Sequence, residues 1–208
     1  MSKCSWTLCR LFLCGLLGCC LGLSGAATAS PRADKASSKA ASQMSQEQMM
    51  AELAKLATPG PNHELLKKLV GSWKAVTKIY EGSGEPQTSE GTAEYTSVLG
   101  GRFVKQEYHG TFMGQPFEGL GLTGYDNKKH KFVTLWIDDM STSMLPHDGN
   151  YDPKSREFTY KGVMDLAGPP VRYRMVIKLV DDNTHVLSWH EMRAGKEVKT
   201  MEITYTRK

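Results

Sequence analysis

Beyond residue 20 this chain of 208 residues contains no cysteine, its 5 cysteines being Cys4, Cys9, Cys14, Cys19 and Cys20. That absence excludes a disulfide scaffold, a thiolate metal centre and a cysteine nucleophile from most of the molecule. Whatever folds there is held by its own apolar core. Long hydrophobic runs are missing too. The one sustained apolar stretch, Leu11 to Leu23, falls short of the roughly 20 residues that a membrane-spanning helix needs. An excess of charge of one sign is also missing: 26 Lys and Arg face 22 Asp and Glu, for a net charge of +4. Without a basic stripe interleaved with aromatics, the chain has no nucleic-acid footprint.

Nucleophile constellations are absent as well, since no Gly-x-Ser-x-Gly elbow occurs and no serine has a base and an orienting group at hand. The glycines at 110, 114, 119, 121 and 124 lack the following helix of a phosphate loop and read instead as a tightly curved β segment. His63, His109, His130, His147, His185 and His190 form no helical i, i+4 pair and no His-x-His. A metal would need ligands from separate strands, with Glu107, His109 and His190 as the set to watch. No metal, cofactor or catalytic residue is assigned on this basis. Were a single histidine to hold haem in a barrel, His147 or His190 would be the candidate.

What is present begins with a leader. Lys3 and Arg10 precede the apolar stretch, and Ala27-Thr-Ala29 follows it. That order reads as a secretory signal peptide over residues 1–29. A second processing route competes: Leu16-Leu-Gly-Cys19 has the form of a lipobox, in which Cys19 is lipidated, although Leu17 is bulkier than the residue usual before Gly. The expected location is exported, periplasmic or secreted, with membrane attachment only if Cys19 carries lipid. Residues 30–43 are small, polar and aperiodic, the pattern of a flexible linker.

Residues 44–70 read as helical. Ser45 followed by Gln48 is a capping-box signal, and Met49, Met50, Leu53 and Leu56 recur at helical spacing. This first helix is expected to plug or flank the domain that follows. Thr58-Pro-Gly-Pro61 ends it, and Asn62 is the expected cap of a second, carrying Leu65, Leu66, Leu69 and Val70.

From residue 71 to 208 the period changes to two. Val171, Tyr173, Met175, Ile177 and Leu179 alternate with mostly polar neighbours, as do Met201, Ile203 and Tyr205. Turn signals such as Met113-Gly114, Asp126-Asn127 and Ala194-Gly195 separate the runs at hairpin distances that leave no room for crossover helices. About ten short antiparallel strands result, and closing them into an up-and-down barrel removes the exposed edges. The fold class is all-β, with one or two short N-terminal helices.

Several motifs stand in order: Gly60-Pro-Asn-His63-Glu-Leu-Leu leading to Gly71-Ser-Trp73, then Leu99-Gly-Gly-Arg102-Phe103, then Pro116-Phe-Glu-Gly119 through Gly124-Tyr-Asp126, then Trp136 and Asp138. From about residue 45 onward the chain resembles domain-of-unknown-function family 1579. The resemblance implies a calycin-like barrel, similar to lipocalins and fatty-acid-binding proteins, and brings no activity with it. Gly71-Ser-Trp73 is also similar to the Gly-x-Trp that opens lipocalin barrels, which implies that Arg207 covers the Trp73 ring and helps close the barrel.

Function is read from the interior. Trp136, Asp138, Tyr173, Met175, Trp189, Met201 and Tyr205 are the expected lining of a cavity for a small apolar or amphipathic ligand. Two rivals stand beside this binding module. One is an enzyme using Asp138 or Glu118 with a histidine for acid–base chemistry. The other is a lipid-anchored envelope protein that acts through its surface.

Overall fold

The computed structural model describes residues 44–82, 84–165 and 168–208; the expected leader, Cys19 and the linker lie outside them. Two helices, α1 (Gln46–Ala57) and α2 (Pro61–Leu66), precede ten strands. The strands are β1 (Gly71–Ile79), β2 (Gln87–Val98), β3 (Phe103–Phe112), β4 (Gln115–Asp126) and β5 (Lys131–Asp138), then β6 (Leu145–Asp152), β7 (Glu157–Met164), β8 (Val171–Leu179), β9 (Thr184–Arg193) and β10 (Lys196–Arg207). Each pairs with its chain neighbour, and β1 pairs with β10 to close the barrel.

Turn chemistry makes this topology local. Met113 and Gly114 link β3 to β4 with φ of 51° and 79°, and Ala194 and Gly195 link β9 to β10 with φ of 47° and 76°. Both central residues lie at positive φ, as a two-residue turn matched to the strand twist requires. Glycine supplies that conformation easily at the second position; Met113 and Ala194 adopt it against their own steric preference.

The helices differ in role. Ser45 and Gln48 form the expected reciprocal cap of α1. The expectation that α1 plugs or flanks the barrel through its apolar stripe is not met: it buries no residue, and Met49, Met50, Leu53 and Leu56 are between 40 % and 60 % exposed. Its tie to the barrel is polar, with the Asn127 amide donating to the carbonyls of Leu56 and Thr58 at 2.9 Å each. The cap of α2 also differs from expectation. Gly60 is the N-cap and Pro61 opens the helix, where a missing N–H costs nothing. His63 then reaches back, its Nδ1 accepting from the Gly60 N–H at 3.0 Å. Asn62 is therefore inside the helix. The buried side chains of α2 and the following turn are His63, Leu66 and Leu69, so this short segment covers the end of the barrel.

That end is packed solid. Trp73, Tyr95, Phe132, Phe158, Leu179 and Tyr205 meet Leu66 and Leu69 there. The Trp73 indole N–H donates to the Leu69 carbonyl at 2.8 Å, fastening first strand to helical segment. Asp138, Leu145, Met164 and Arg193 mark the opposite end, and the candidate site lies toward it.

Candidate functional site

The barrel wall is incomplete between β6 and β7. Their pairing covers Gly149 to Asp152 against Tyr160 to Glu157 and goes no further. Upstream, Leu145 to Asp148 pair with β5 alone, and Lys161 to Met164 pair with β8 alone. Pro146 lacks an N–H to offer a neighbour, which suits a strand edge. A space of about 340 Å³ opens there, lined by Leu145, Pro146, Gly162, Val163 and Tyr173 among others. Its lips are mixed: Met144 is 68 % and Val163 56 % exposed, and Ser143 and Asp165 stand beside them. An open depression of about 550 Å³ on the adjoining outer wall shares Gly162, Val163 and Tyr173 with it. The rest of that depression is surface in character, including Arg174, whose guanidinium makes two bonds of 2.8 Å to Glu197.

Gly162 shapes the slit. A Cβ on it would overlap the Tyr173 hydroxyl and ring, so only glycine lets this tyrosine lie across the opening. Behind, the Tyr173 ring stacks on Trp189, centroids 4.1 Å apart and planes 18° from parallel. Burial raises the Tyr173 phenol to about 12, and it pushes the Tyr160 phenol up as well. His147 completes the group. Its ring lies 5.3 Å from that of Tyr173 and edge-on to those of Tyr160 and Trp189. The residue is 4 % exposed, and neither ring nitrogen has a hydrogen-bond partner. Burial holds its pKa below the ordinary value, opposed in smaller measure by hydrogen-bond-type contacts with the Thr134 and Leu145 backbone that are too poorly aligned to form full hydrogen bonds. The imidazole is therefore neutral at pH 7, with one donor and one acceptor.

The other expected lining residues divide among three places. Met175, paired in register with Tyr160 and Trp189, borders the His147 group, and Met201 lies opposite Trp189 on β10. Trp136 and Asp138 form a separate unit on β5: the indole N–H donates to Asp138 Oδ2 at 2.9 Å, and Oδ1 accepts from the Met140 N–H. The Trp136 ring stacks on Phe117 and rests on Gly119, where a Cβ would overlap it. The β4 glycines thus admit aromatic rings, while β4 runs in unbroken register with both neighbours. Tyr205 corrects the expectation of a lining residue. It lies at the packed end, fully sequestered and stacked on His185 at 4.4 Å.

At that packed end the Arg207 guanidinium sits 4.2 Å from the Trp73 ring centre. His185 stands edge-on to the same indole at 4.4 Å, with its Nδ1 unpaired. Burial, aided by the Arg207 charge, lowers its pKa to about 3.

The candidate polar sets do not assemble. Glu107 and His109 lie on the outer face of β3 beside Lys105 and Glu118, whereas His190 is on the outer face of β9, with β2, β1 and β10 between. No group of three metal-ligating side chains occurs among the described residues. Glu118, 3.3 Å from His109 Nδ1, faces outward as well, so it and Asp138 stand on opposite sides of the wall. Of the two histidines considered for haem, only His147 is interior. Sequence reasoning missed the slit and the pairing of His185 with Trp73; no local pattern marks either.

Solved structures of the same shape are found, though distant in sequence. Rv2717c from M. tuberculosis is 12 % identical with a TM-score of 0.53, the match covering 73 % of this chain and 99 % of that one. The S-type phycobiliprotein lyase CPES from Guillardia theta is 11 % identical with a TM-score of 0.52, covering 72 % and 98 %. Identities this low establish the barrel fold alone. No curated protein matches the sequence. The model of the family described as "Protein of unknown function (DUF1579)" does match, over residues 58–207, and the chain belongs to that family.

Proposed function

We propose that this is an exported binding module whose barrel takes up a small apolar or amphipathic molecule through the slit between β6 and β7. The observation that carries the reading is the short β6–β7 seam, four paired positions long, with the Tyr173–Trp189 stack and the unpartnered His147 behind it. A largely apolar opening with a few polar groups at its rim, here Ser143 and Asp165, set against aromatic side chains, is the usual form of a small-molecule site. Trp136, Asp138, Tyr173, Met175, Trp189 and Met201 remain the proposed inner surface. The phycobiliprotein lyase named above shares the container, and at its low identity it supports nothing about the contents.

An acid–base enzyme is the weaker reading, because both Asp138 oxygens already accept hydrogen bonds from Trp136 and Met140. Export rests on the leader sequence, and N-terminal analysis of the mature protein tests it: a start at Ser30 supports signal cleavage, a lipidated Cys19 supports anchoring. Binding is tested by native mass spectrometry of the purified protein together with thermal-shift measurement against a panel of amphipathic molecules. A retained small mass, or a melting shift that Leu145→Trp abolishes by filling the slit, supports the proposal. A clean protein mass with no shift across the panel overturns it.

A further inference from the structure

Two histidines in the barrel are buried with ring nitrogens unpaired, His147 and His185. His185 belongs to the aromatic plug beside Trp73. His147 belongs to no such structure. Its ring stands edge-on to Tyr173, which lines the slit, and neither nitrogen makes a well-formed hydrogen bond, its nearest polar neighbours being the Thr134 and Leu145 backbone. A well-placed hydroxyl would therefore satisfy a buried polar group that the protein leaves poorly served.

From this geometry we infer that His147 is the polar anchor of the binding site, and that the molecule it holds is small, uncharged and aromatic with one hydroxyl group. The inference rests on the binding reading above and goes on to name the class of ligand.

Three observations select that class. The first is the charge state. A desolvated neutral imidazole offers one donor and one acceptor to a hydroxyl, which can use either. A carboxylate would instead bring an uncompensated charge in among buried neutral rings, at far greater cost. The interior ionisable groups nearest the ring are Tyr160 of β7 and Tyr173 of β8, both kept neutral by burial. Glu191 lies further along β9, and its carboxylate is already engaged by Thr200 and Arg193. From β5 and β9 the groups facing His147 are Thr134 and Trp189, neither of which titrates.

The second observation is shape. Tyr173, held in place by its stack on Trp189, lines the slit, and an aromatic wall favours a ring over a flexible chain. Access is the third. Leu145 lines the slit two residues before His147, and Tyr173 borders both the slit and the imidazole. A ligand entering past Gly162 therefore meets Tyr173 first and His147 next.

Three probes with one shared body test the inference: 1-naphthol, naphthalene and 1-naphthoate, titrated calorimetrically into the purified protein. Naphthol is expected to bind about tenfold more tightly than naphthalene, the worth of one buried hydrogen bond, with naphthoate the weakest. His147→Phe should bring naphthol down to the level that naphthalene shows with the same variant. His147→Gln, which restores a donor and an acceptor, should recover part of the difference. In the unmutated protein, the His147 ring nitrogens should shift in NMR spectra on adding naphthol and stay still on adding naphthalene. Equal affinities for naphthol and naphthalene, an advantage that survives His147→Phe, or naphthoate as the tightest probe would each overturn the inference while leaving the binding reading intact. Failure of all three probes to bind would overturn the binding reading and the inference with it.

Discussion

The Arg207 guanidinium lies 4.2 Å from the centre of the Trp73 ring while its nitrogens donate to the carbonyls of Val70, Lys68 and Asp182. One side chain from the last strand thus joins the first strand, the helical segment before it and the β8–β9 hairpin. Gly71 makes room, since a Cβ there would overlap Nη1, and its φ of 132° lies outside what other residues adopt with ease. The cation–π contact contributes about 0.5–2 kcal/mol, and the hydrogen bonds, partly exposed to water, add a comparable amount.

Arg207→Ala is therefore expected to lower stability by about 2–3 kcal/mol, or roughly 5–10 °C in melting temperature for a domain of this size. Trp73 emission should change with it. Arg207→Lys should recover only a minor part, because a single ammonium cannot span three carbonyls. An unchanged melting temperature in the alanine variant would show that the contact does not fasten the barrel.

Acid should weaken the fold through His185. Its pKa is lowered to about 3 in the folded protein by burial and the Arg207 charge, against the ordinary 6.5. Between those values the unfolded chain takes up a proton that the folded one refuses, so stability is full above pH 6.5 and is lost as pH falls toward 3. The slope approaches at most about 1.4 kcal/mol per pH unit. His147, also shifted downward by burial, acts in the same sense. Urea unfolding at about pH 7 and about pH 4.5 measures the effect, and His185→Phe should flatten the difference. A parallel pH dependence in the variant would assign the acid sensitivity elsewhere.

How much of this was legible in the sequence follows from how local each signal is. Strand alternation in Val171 to Leu179 and the turns at Met113-Gly114 and Ala194-Gly195 depend on neighbours in the chain, and the hairpins form there. The stripe on α1 was equally legible, but periodicity reports an apolar face and says nothing of what covers it; in this molecule the face is exposed. The slit was invisible because it depends on where β6 and β7 stop pairing, a matter of register between strands whose individual patterns look ordinary. His147 and His185 are likewise indistinguishable from surface histidines until the barrel closes around them. Among the expected lining residues, Tyr205 shares its alternation with Met201 and Ile203, yet barrel height alone places it in the plug.

Gly119 should tolerate no side chain while Trp136 is in place, since a Cβ would overlap the indole. Gly119→Ala is expected to cost about 1–3 kcal/mol, the usual penalty of overpacking. It should also disturb the bond from the Trp136 indole to Asp138. Combined with Trp136→Leu, the substitution should cost much less than the sum of the two single changes. Simple additivity in a double-mutant cycle by urea unfolding would rule the steric explanation out.

The two helices should respond in opposite ways to damage. Because α1 buries no residue, replacing both Leu53 and Leu56 by serine removes apolar surface from water contact without opening a cavity. Such surface changes are expected to stay within about 0.5 kcal/mol. Leu66 of α2, by contrast, is 1 % exposed in the core, and Leu66→Ala should cost about 2–5 kcal/mol. Thermal unfolding of the two variants decides the matter. If the α1 double variant were as damaging as Leu66→Ala, the exposed face of α1 would have to be covered by something in solution, and analytical ultracentrifugation of the parent protein would then show self-association through that helix.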